Sequence, residues 1–211
     1  MRKRGDFCMI KGEKESGSLV PVYLSAVTLF VCVLAVVVDI GNMWFLSSSR
    51  SNDLALMRSD ISQSGPTMVI ENSSDPQKQI ANLITDNLRL KGVDSKLEIW
   101  AYESIYPKGD NFRIISWYVQ VSENYDTVML RTLGVDSLPV RQDIAGSIAV
   151  ISSTELSRAQ NFPYGNGVFS VEAGAHSMLF DSIGSASIDM CPEKLIVSQE
   201  ETLEKIYRGE I

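Results

Sequence analysis

The feature that most constrains this chain is an uncharged run of 20 residues, Leu19 to Val38, near its start. As an α-helix rising about 1.5 Å per residue, such a run extends roughly 30 Å, the thickness of a bilayer's hydrocarbon core. A helix in a soluble core seldom lacks a polar face over this length. Proline in its first turn and aromatic residues at both ends also suit a membrane helix (Pro21, Tyr23, Trp44, Phe45). The run therefore predicts one transmembrane helix, over residues 19–41.

The basic residues around this run predict its orientation. Five Lys and Arg residues lie within residues 1–18, whereas only Arg50 and Arg58 follow the run closely. Positive charge stays on the cytoplasmic side of a membrane, so residues 1–18 are expected to form a cytoplasmic basic tail. The apolar run is too long for a cleaved secretory signal, although Ser47-Ser48-Ser49 offers a weak alternative cleavage site. We expect an uncleaved single-pass protein with residues 47–211 outside.

The composition of the exported part excludes several classes of function. Residues 47–211 carry 14 Lys and Arg against 22 Asp and Glu, and this acidic balance disfavours nucleic-acid binding. One histidine and three cysteines in the whole chain make a zinc site improbable. The predicted topology separates Cys8, Cys32 and Cys191, so Cys191 is expected to be a free thiol, with an intermolecular link as the alternative. No cofactor or metal site is predicted.

Two helices are predicted directly after the membrane segment. Apolar residues continue at helical spacing, so residues 42–65 are expected to form a helical stem that ends at Gly65-Pro66. Asp75 followed by Pro76 is typical of a helix N-cap and first turn, and Gly92 is expected to close that helix.

The remaining pattern predicts a sheet. Leu97–Ile105 and Phe112–Ser122 are rich in aliphatic and aromatic residues and flank a turn sequence, which indicates a β-hairpin. A helix over Tyr125–Leu133 and a strand over Leu138–Ile151 follow. The predicted fold class is α+β: a membrane helix with a stem, then an exported domain over residues 66–211 whose antiparallel sheet is covered on one face by helices.

The C-terminal third gives weaker signals. The sequence NFPYGNG over residues 161–167 indicates a loop, with short strands at Val168–Val171 and Ser177–Phe180. Ser198-Gln199-Glu200-Glu201 has the form of a capping box, which predicts a last helix over Gln199–Arg208 before Gly209.

The N-terminal segment resembles a known family. Gly17-Ser18, the apolar run, its ending Val38-Asp39-Ile40-Gly41 and the helical continuation are similar to the TadE/TadG-like proteins of bacterial Flp (tight-adherence) pilus assembly. The segment over residues 121–150, a strand, a short Tyr-Asp-Thr segment and a second strand, is a looser similarity. The first match covers about 40 residues and the second about 30.

The resemblance implies a function in protein association. It implies a non-enzymatic, single-pass component of pilus assembly or of an associated secretion machine in the bacterial cell envelope. Its partners would be the lipid bilayer and other single-span, pseudopilin-like proteins, and a homo-oligomer stays open. The chain departs from pseudopilins at Val22, where the family pattern expects a glutamate. This departure favours an uncleaved assembly protein over a filament subunit.

Four residues are candidates for helix association: Asp39, Gly41, Leu54 and Met57. A carboxylate directly after 20 apolar residues is costly if it stays unpaired at bilayer depth. Asp39 is therefore expected either to be hydrated at the outer interface or to contact a neighbouring membrane helix. The apolar stem needs a cover, because an isolated helix of its length is marginal in water. The sequence does not choose between its own domain and a neighbouring subunit.

The rival function is a membrane-anchored exported hydrolase. It would use Ser177 or His176, with Asp181 nearby in sequence. The chain has no G-x-S-x-G nucleophile motif, no H-E-x-x-H motif and no phosphate-binding loop. No catalytic residue is therefore predicted. The aromatic residues of the hairpin are expected to pack in the core, with a protein-binding patch as the alternative (Trp100, Tyr102, Trp117, Tyr118).

Overall fold

The computed structural model describes residues 19–71, 73, 75–106, 112–151, 166–174, 179–184 and 191–210. The helices are α1 (Val20–Ile61), α2 (Ser64–Glu71), α3 (Pro76–Leu90) and α4 (Glu193–Arg208). The strands are β1 (Lys96–Tyr106), β2 (Phe112–Asp126), β3 (Ser137–Ile151), β4 (Asn166–Val171) and β5 (Leu179–Gly184), with a 3₁₀ helix at Leu130–Leu133. The basic tail, the hairpin turn and residues 161–165 of the loop predicted over residues 161–167 lie outside the described residues. The last two residues of that predicted loop, Asn166 and Gly167, belong to β4.

Helix α1 is continuous over 42 residues, so the predicted membrane segment and most of the predicted stem form one helix. It is the one helix in the described part of the chain that is long and apolar enough to cross a membrane. Serine-rich residues 47–51 do not interrupt it. The prediction that Gly65-Pro66 ends the stem is wrong: α1 stops at Ile61, and Gly65-Pro66 lie near the start of α2. Proline is tolerated there because the first amides of a helix have no intrahelical partner.

Helix α3 has the ends that its sequence predicts. The Asp75 carboxylate accepts a hydrogen bond of 3.0 Å from the Lys78 N–H and caps the N-terminus, with Pro76 in the first turn. Beyond the last turn, Gly92 adopts φ +76°, a left-handed conformation that glycine reaches without steric cost. The apolar face of α3 is fully buried (Ile80, Ala81, Ile84, Leu88).

The strands form one five-stranded sheet in the order β3-β2-β1-β4-β5, with every neighbouring pair antiparallel. The predicted hairpin is present, and its register runs from Lys96 opposite Ser122 to Tyr106 opposite Phe112. The α+β class with a long N-terminal apolar helix and an antiparallel sheet is therefore confirmed.

The predicted helix over Tyr125–Leu133 is wrong. Strand β2 continues through Tyr125 to Asp126, and only Leu130–Leu133 form a single 3₁₀ turn. Pairing with β3 extends along this part of β2 as far as Asp126 opposite Ser137, so cross-strand bonds override the helical spacing. Gly134 follows with φ +88° and turns the chain back into β3.

Helices cover both faces of the sheet, which corrects the expectation of a single covered face. Alternate residues of the central strands point to opposite faces. One face packs against α1 and α3 to form the main core, which contains Leu54, Met57, Ile61, Ile80, Ile84, Leu88, Leu97, Ile99, Ile115, Trp117, Val119 and Phe169. The other face carries a smaller cluster under α4, made of Tyr118, Ala145, Cys191 and Leu195.

The main core contains one close approach that requires glycine. Trp117 on β2 is 1% exposed, and its indole lies over Gly146 on β3. A Cβ atom added to Gly146 would lie 2.7 Å from Trp117 Cε2 and closer still to Cζ2. Trp117 is therefore in the core, as the leading interpretation of the hairpin aromatics expects.

Helix α4 begins earlier than the sequence pattern predicts. It starts at Glu193, with Pro192 before it, so Ser198 lies in the second turn and does not cap the helix. Ser198 is buried, and its carbonyl oxygen accepts a 2.6 Å hydrogen bond from the Ser147 hydroxyl on β3. The polar residues of this pattern therefore attach α4 to the sheet. Gly209 follows the helix with φ +72°, as predicted.

Candidate functional site

The most unusual polar site in the described chain surrounds Asp39, the first charged residue after the apolar run. Its side chain is fully buried. Oδ1 accepts hydrogen bonds from the Val128 N–H at 2.9 Å and the Tyr125 hydroxyl at 3.2 Å. Oδ2 accepts from the Met129 N–H at 2.9 Å and the Leu130 N–H at 2.6 Å. Four donors, of which three are backbone amides of residues 128–130, thus bind a single carboxylate on α1.

The Tyr125 hydroxyl comes from the end of β2, whereas the three backbone donors belong to residues 127–136, here called the docking loop. Its first amides precede or open the 3₁₀ helix, where backbone N–H groups have no intrahelical partner and point together toward an anion. Two bonds close the base of the loop, from the Thr127 N–H to the Asp136 carbonyl at 3.0 Å and from the Val135 N–H to the Leu130 carbonyl at 3.1 Å. Bonds within the loop, independent of Asp39, therefore define its shape.

These contacts answer the question that the sequence raises about Asp39. An ionised carboxylate next to hydrocarbon is stable only where hydrogen bonds replace its hydration. The sequence offers water or a neighbouring helix as the source of those bonds. In the structure, the chain's own docking loop and the Tyr125 hydroxyl supply them. The buried environment corrects the expectation of a hydrated Asp39.

Two further polar contacts attach α1 to the domain beyond Asp39. The Gln142 side chain donates to the Ser47 hydroxyl at 2.6 Å. Arg50 Nε donates to Glu123 Oε1 at 2.9 Å, and Arg50 also pairs with Asp53 at 3.4 Å. Burial opposes the charge of Arg50, but the hydrogen bonds and charges of Glu123 and Asp53 outweigh it and raise the pKa of the guanidinium.

A third attachment lies at the far end of α1. Asp60 accepts hydrogen bonds from the Asn87 amide and the Lys91 ammonium, each at 3.1 Å. These bonds lower the pKa of Asp60. Polar contacts thus follow α1 from Asp39 to Asp60, over 21 residues or about 32 Å of helix.

The structure separates the four predicted association residues. Leu54 is 2% exposed and Met57 is fully buried in the main core, so the chain's own domain covers the stem at these positions. Asp39 lies on the same side of α1 as Met57, at the docking loop. Gly41 differs, because nothing lies within 4 Å of a Cβ built there. Association of α1 with another membrane helix stays a prediction, and Leu54 and Met57 are not free to take part in it.

The remaining candidates from the sequence give no second site within the described part of the chain. His176 and Ser177 lie outside the described residues. Among the described residues, no group of three or more His, Cys, Asp and Glu side chains is placed to hold a metal ion. Cys191 is buried under α4, and burial raises the pKa of its thiol.

The aromatic residues on the second sheet face belong to the cluster under α4. Trp100 and Tyr102 are half-buried there beside Tyr118, while Trp117 faces the main core. Burial, together with the charges of Asp143 and Glu98, raises the pKa of Tyr118 to about 12.

The docking loop is the functional feature that sequence reasoning missed. A Tyr-Asp-Thr segment and Gly134 were visible in the sequence, but the helical spacing of the residues between them concealed a turn. Two sequence features together would have indicated this contact. One is the isolated carboxylate at the end of the apolar run, and the other is a short segment that directly follows a predicted strand. Comparison of the chain with protein-family models, curated proteins and solved structures finds no match. The TadE/TadG-like resemblance therefore rests on the sequence motifs alone.

Proposed function

We propose that this protein is a membrane-anchored, non-enzymatic component of Flp/Tad-type pilus assembly or of an associated secretion machine. In this proposal α1 crosses the bacterial cell membrane once, residues 1–18 stay in the cytoplasm, and the sheet domain lies outside. The chain acts by association through the membrane helix and the exported domain. The observation that carries the proposal is the fixed attachment of the domain to α1 through Asp39.

A fixed attachment favours an assembly role over a simple tether. An enzyme that only needs to stay near a membrane works on a flexible linker, and the chain would gain nothing from a buried carboxylate with four donors. An assembly component must present its domain at a set height and orientation. A continuous helix that is bound at Asp39, Arg50 and Asp60 supplies both.

The lipid-facing half of α1 is left for a partner helix. Its side chains are exposed along nearly the whole apolar run. The Ser25 and Thr28 hydroxyls bond to carbonyls of their own helix, Val22 and Leu24, at 2.9 Å. Small residues with satisfied hydroxyl groups let a second membrane helix approach closely. This surface fits another single-span protein, or a second copy of the chain.

The proposal is tested by cross-linking in native membranes followed by purification of the full chain. We expect a discrete cross-linked species that contains a second single-span protein. Asp39→Asn removes one carboxylate oxygen and adds donors that face backbone N–H groups, so it should weaken that species while membrane insertion stays normal. Asp53→Asn is the matched control, because it also removes one negative charge from α1 but weakens only a pair within the helix, with Arg50, and leaves the Glu123 contact and the docking loop bound.

Two results would contradict the proposal. One is a wild-type chain that gives no cross-linked protein at any position of the exposed helix. The other is a hydrolytic activity that His176→Ala abolishes while the fold stays intact, since that would favour the anchored hydrolase.

The proposed topology has its own test. Protease added to intact spheroplasts should digest the exported domain and spare residues 1–18. Release of a soluble fragment beginning near Ser48 would show instead that the apolar run is a cleaved signal.

A further inference from the structure

The docking loop carries a set of exposed apolar side chains whose position along α1 is known. Val128 is 63% exposed, Met129 46%, Leu133 52% and Val135 38%. The backbone amides of the first two bind Asp39, so their side chains are left free to point outward. Four large apolar residues on one short loop form a patch that water solvates poorly.

This patch lies at the same height along the α1 axis as the end of the apolar run. Asp39 directly follows Val38, and the loop backbone lies within hydrogen-bond distance of Asp39. Protein also covers α1 below that point, because Ala35, one turn earlier on the same side, is only 8% exposed. The buried side of α1 therefore extends one helical turn into the uncharged segment.

Exposed aromatic residues place the membrane interface at or above this level. Trp44 and Phe45 are 71% and 73% exposed on α1, and they lie five and six residues beyond Asp39. Tryptophan and other aromatic side chains concentrate at the headgroup level of bilayers. Five residues of helix rise about 7.5 Å, so the docking loop lies on the bilayer side of these aromatics.

We propose that the docking loop enters the outer interface of the bilayer, with Val128, Met129, Leu133 and Val135 contacting lipid. The occupant of this surface is the lipid bilayer itself, since the patch is continuous with the segment that crosses it. Arg131 is 75% exposed on the same loop, where its guanidinium pairs with Asp136 at 3.6 Å, and in this proposal it faces lipid phosphate groups. The inference rests on the proposed membrane span, and it adds a second point of membrane contact on the exported side.

A second membrane contact restricts the orientation of the domain more than the helix alone does. A single helix fixes the domain at one point and leaves its tilt free, whereas a helix and a loop fix two points. The hydrogen bonds of Asp39 then also serve to hold the loop at the depth where its apolar residues meet lipid.

The test uses the full chain, reconstituted in vesicles of phosphatidylethanolamine and phosphatidylglycerol that contain lipids with spin labels on their acyl chains. Single cysteines carrying a fluorophore replace Met129 or Leu133, in a chain with Cys8→Ser, Cys32→Ser and Cys191→Ser. Val31→Cys, on the exposed side of the apolar run, is the control for the span. Leu90→Cys is the matched control, because Leu90 is 89% exposed and adjoins Lys91 at the membrane-distal end of α1.

We expect strong quenching by the labelled lipids at positions 129 and 133, and little at position 90. Quenching at 31 with none at 129 and 133 would overturn this inference and leave the membrane span intact. No quenching at 31 would overturn the span and the inference together. Labels at 129 and 133 that neither the lipids nor aqueous iodide can quench would show that a second copy of the chain covers the loop, which also overturns the inference.

Discussion

The buried position of Met57 predicts that the stem is part of the folded domain. Met57→Ala removes a fully buried side chain from the face of α1 that meets the sheet and α3. Truncation of a buried methionine to alanine costs about 2–5 kcal/mol, through lost burial and the cavity that remains. A domain of ordinary stability has about 5–15 kcal/mol in total, so this one change removes a large fraction.

The effect should be visible as a lower unfolding midpoint. In a chain of this size, 1 kcal/mol shifts the midpoint by about 2–4 °C, so Met57→Ala should lower it by about 4–20 °C. Near-ultraviolet circular dichroism of the full chain in detergent micelles reports the packing of the sheet aromatics. The control is Leu56→Ala, because Leu56 directly precedes Met57 on α1 and is 56% exposed.

The comparison of these two variants decides whether the stem stabilises the domain. Equal midpoints for Met57→Ala and Leu56→Ala would show that α1 does not pack on the sheet. The same reasoning predicts that a fragment beginning at residue 66 fails to fold cooperatively, because it lacks Leu54, Met57 and Ile61 of the core. A stable, cooperative fragment from residue 66 would refute it.

Three further substitutions test the packing and electrostatics of the sheet. Gly146→Ala should lower the free energy of unfolding by about 1–3 kcal/mol, because it forces a Cβ against Trp117. The loss should be smaller in a Trp117→Phe background, so additive losses in a double-mutant cycle would contradict the contact. Arg113→Met leaves the buried Glu103 carboxylate without its ion-pair partner and should cost about 3–5 kcal/mol in urea unfolding, whereas an unchanged midpoint would show that the pair contributes nothing. Because folding raises the pKa of Tyr118 from 10.0 to about 12, its contribution to stability is complete below pH 10 and is lost as pH rises to about 12. Absorbance titration should show this late phenol ionisation, and Tyr118→Phe should remove it.

The sequence predicted those parts of the fold that local chemistry determines. The apolar run, the Asp75 cap with Pro76, and the alternation in the hairpin each depend on a few neighbouring residues, and the structure has all three elements. The errors came where distant contacts decide. Residues 125–129 have helical spacing, but pairing with β3 holds Tyr125 and Asp126 as a strand. The capping-box pattern at Ser198 was misleading because its hydroxyl packs against β3.

The candidate site was half visible in the sequence. Asp39 is conspicuous because it is the first charge after the apolar run, and its need for partners follows from the cost of burying a carboxylate. Three of its four partners are backbone amides about 90 residues away, which carry no side-chain signature. The sequence therefore shows that Asp39 needs hydrogen bonds, but it does not show which main-chain groups donate them.

Because α1 is one continuous helix, it fixes the rotation of the domain about the helix axis as well as the position of the domain along that axis. Successive residues turn by about 100° around a helix axis, so the contacts at Asp39 and Arg50 hold the domain at one azimuth relative to the membrane-exposed faces. One residue inserted between them would demand a rotation of about 100°, and only one contact could survive it. If α1 spans the membrane as proposed, the packing of these helices in an array of such chains would therefore determine the direction in which every sheet domain faces.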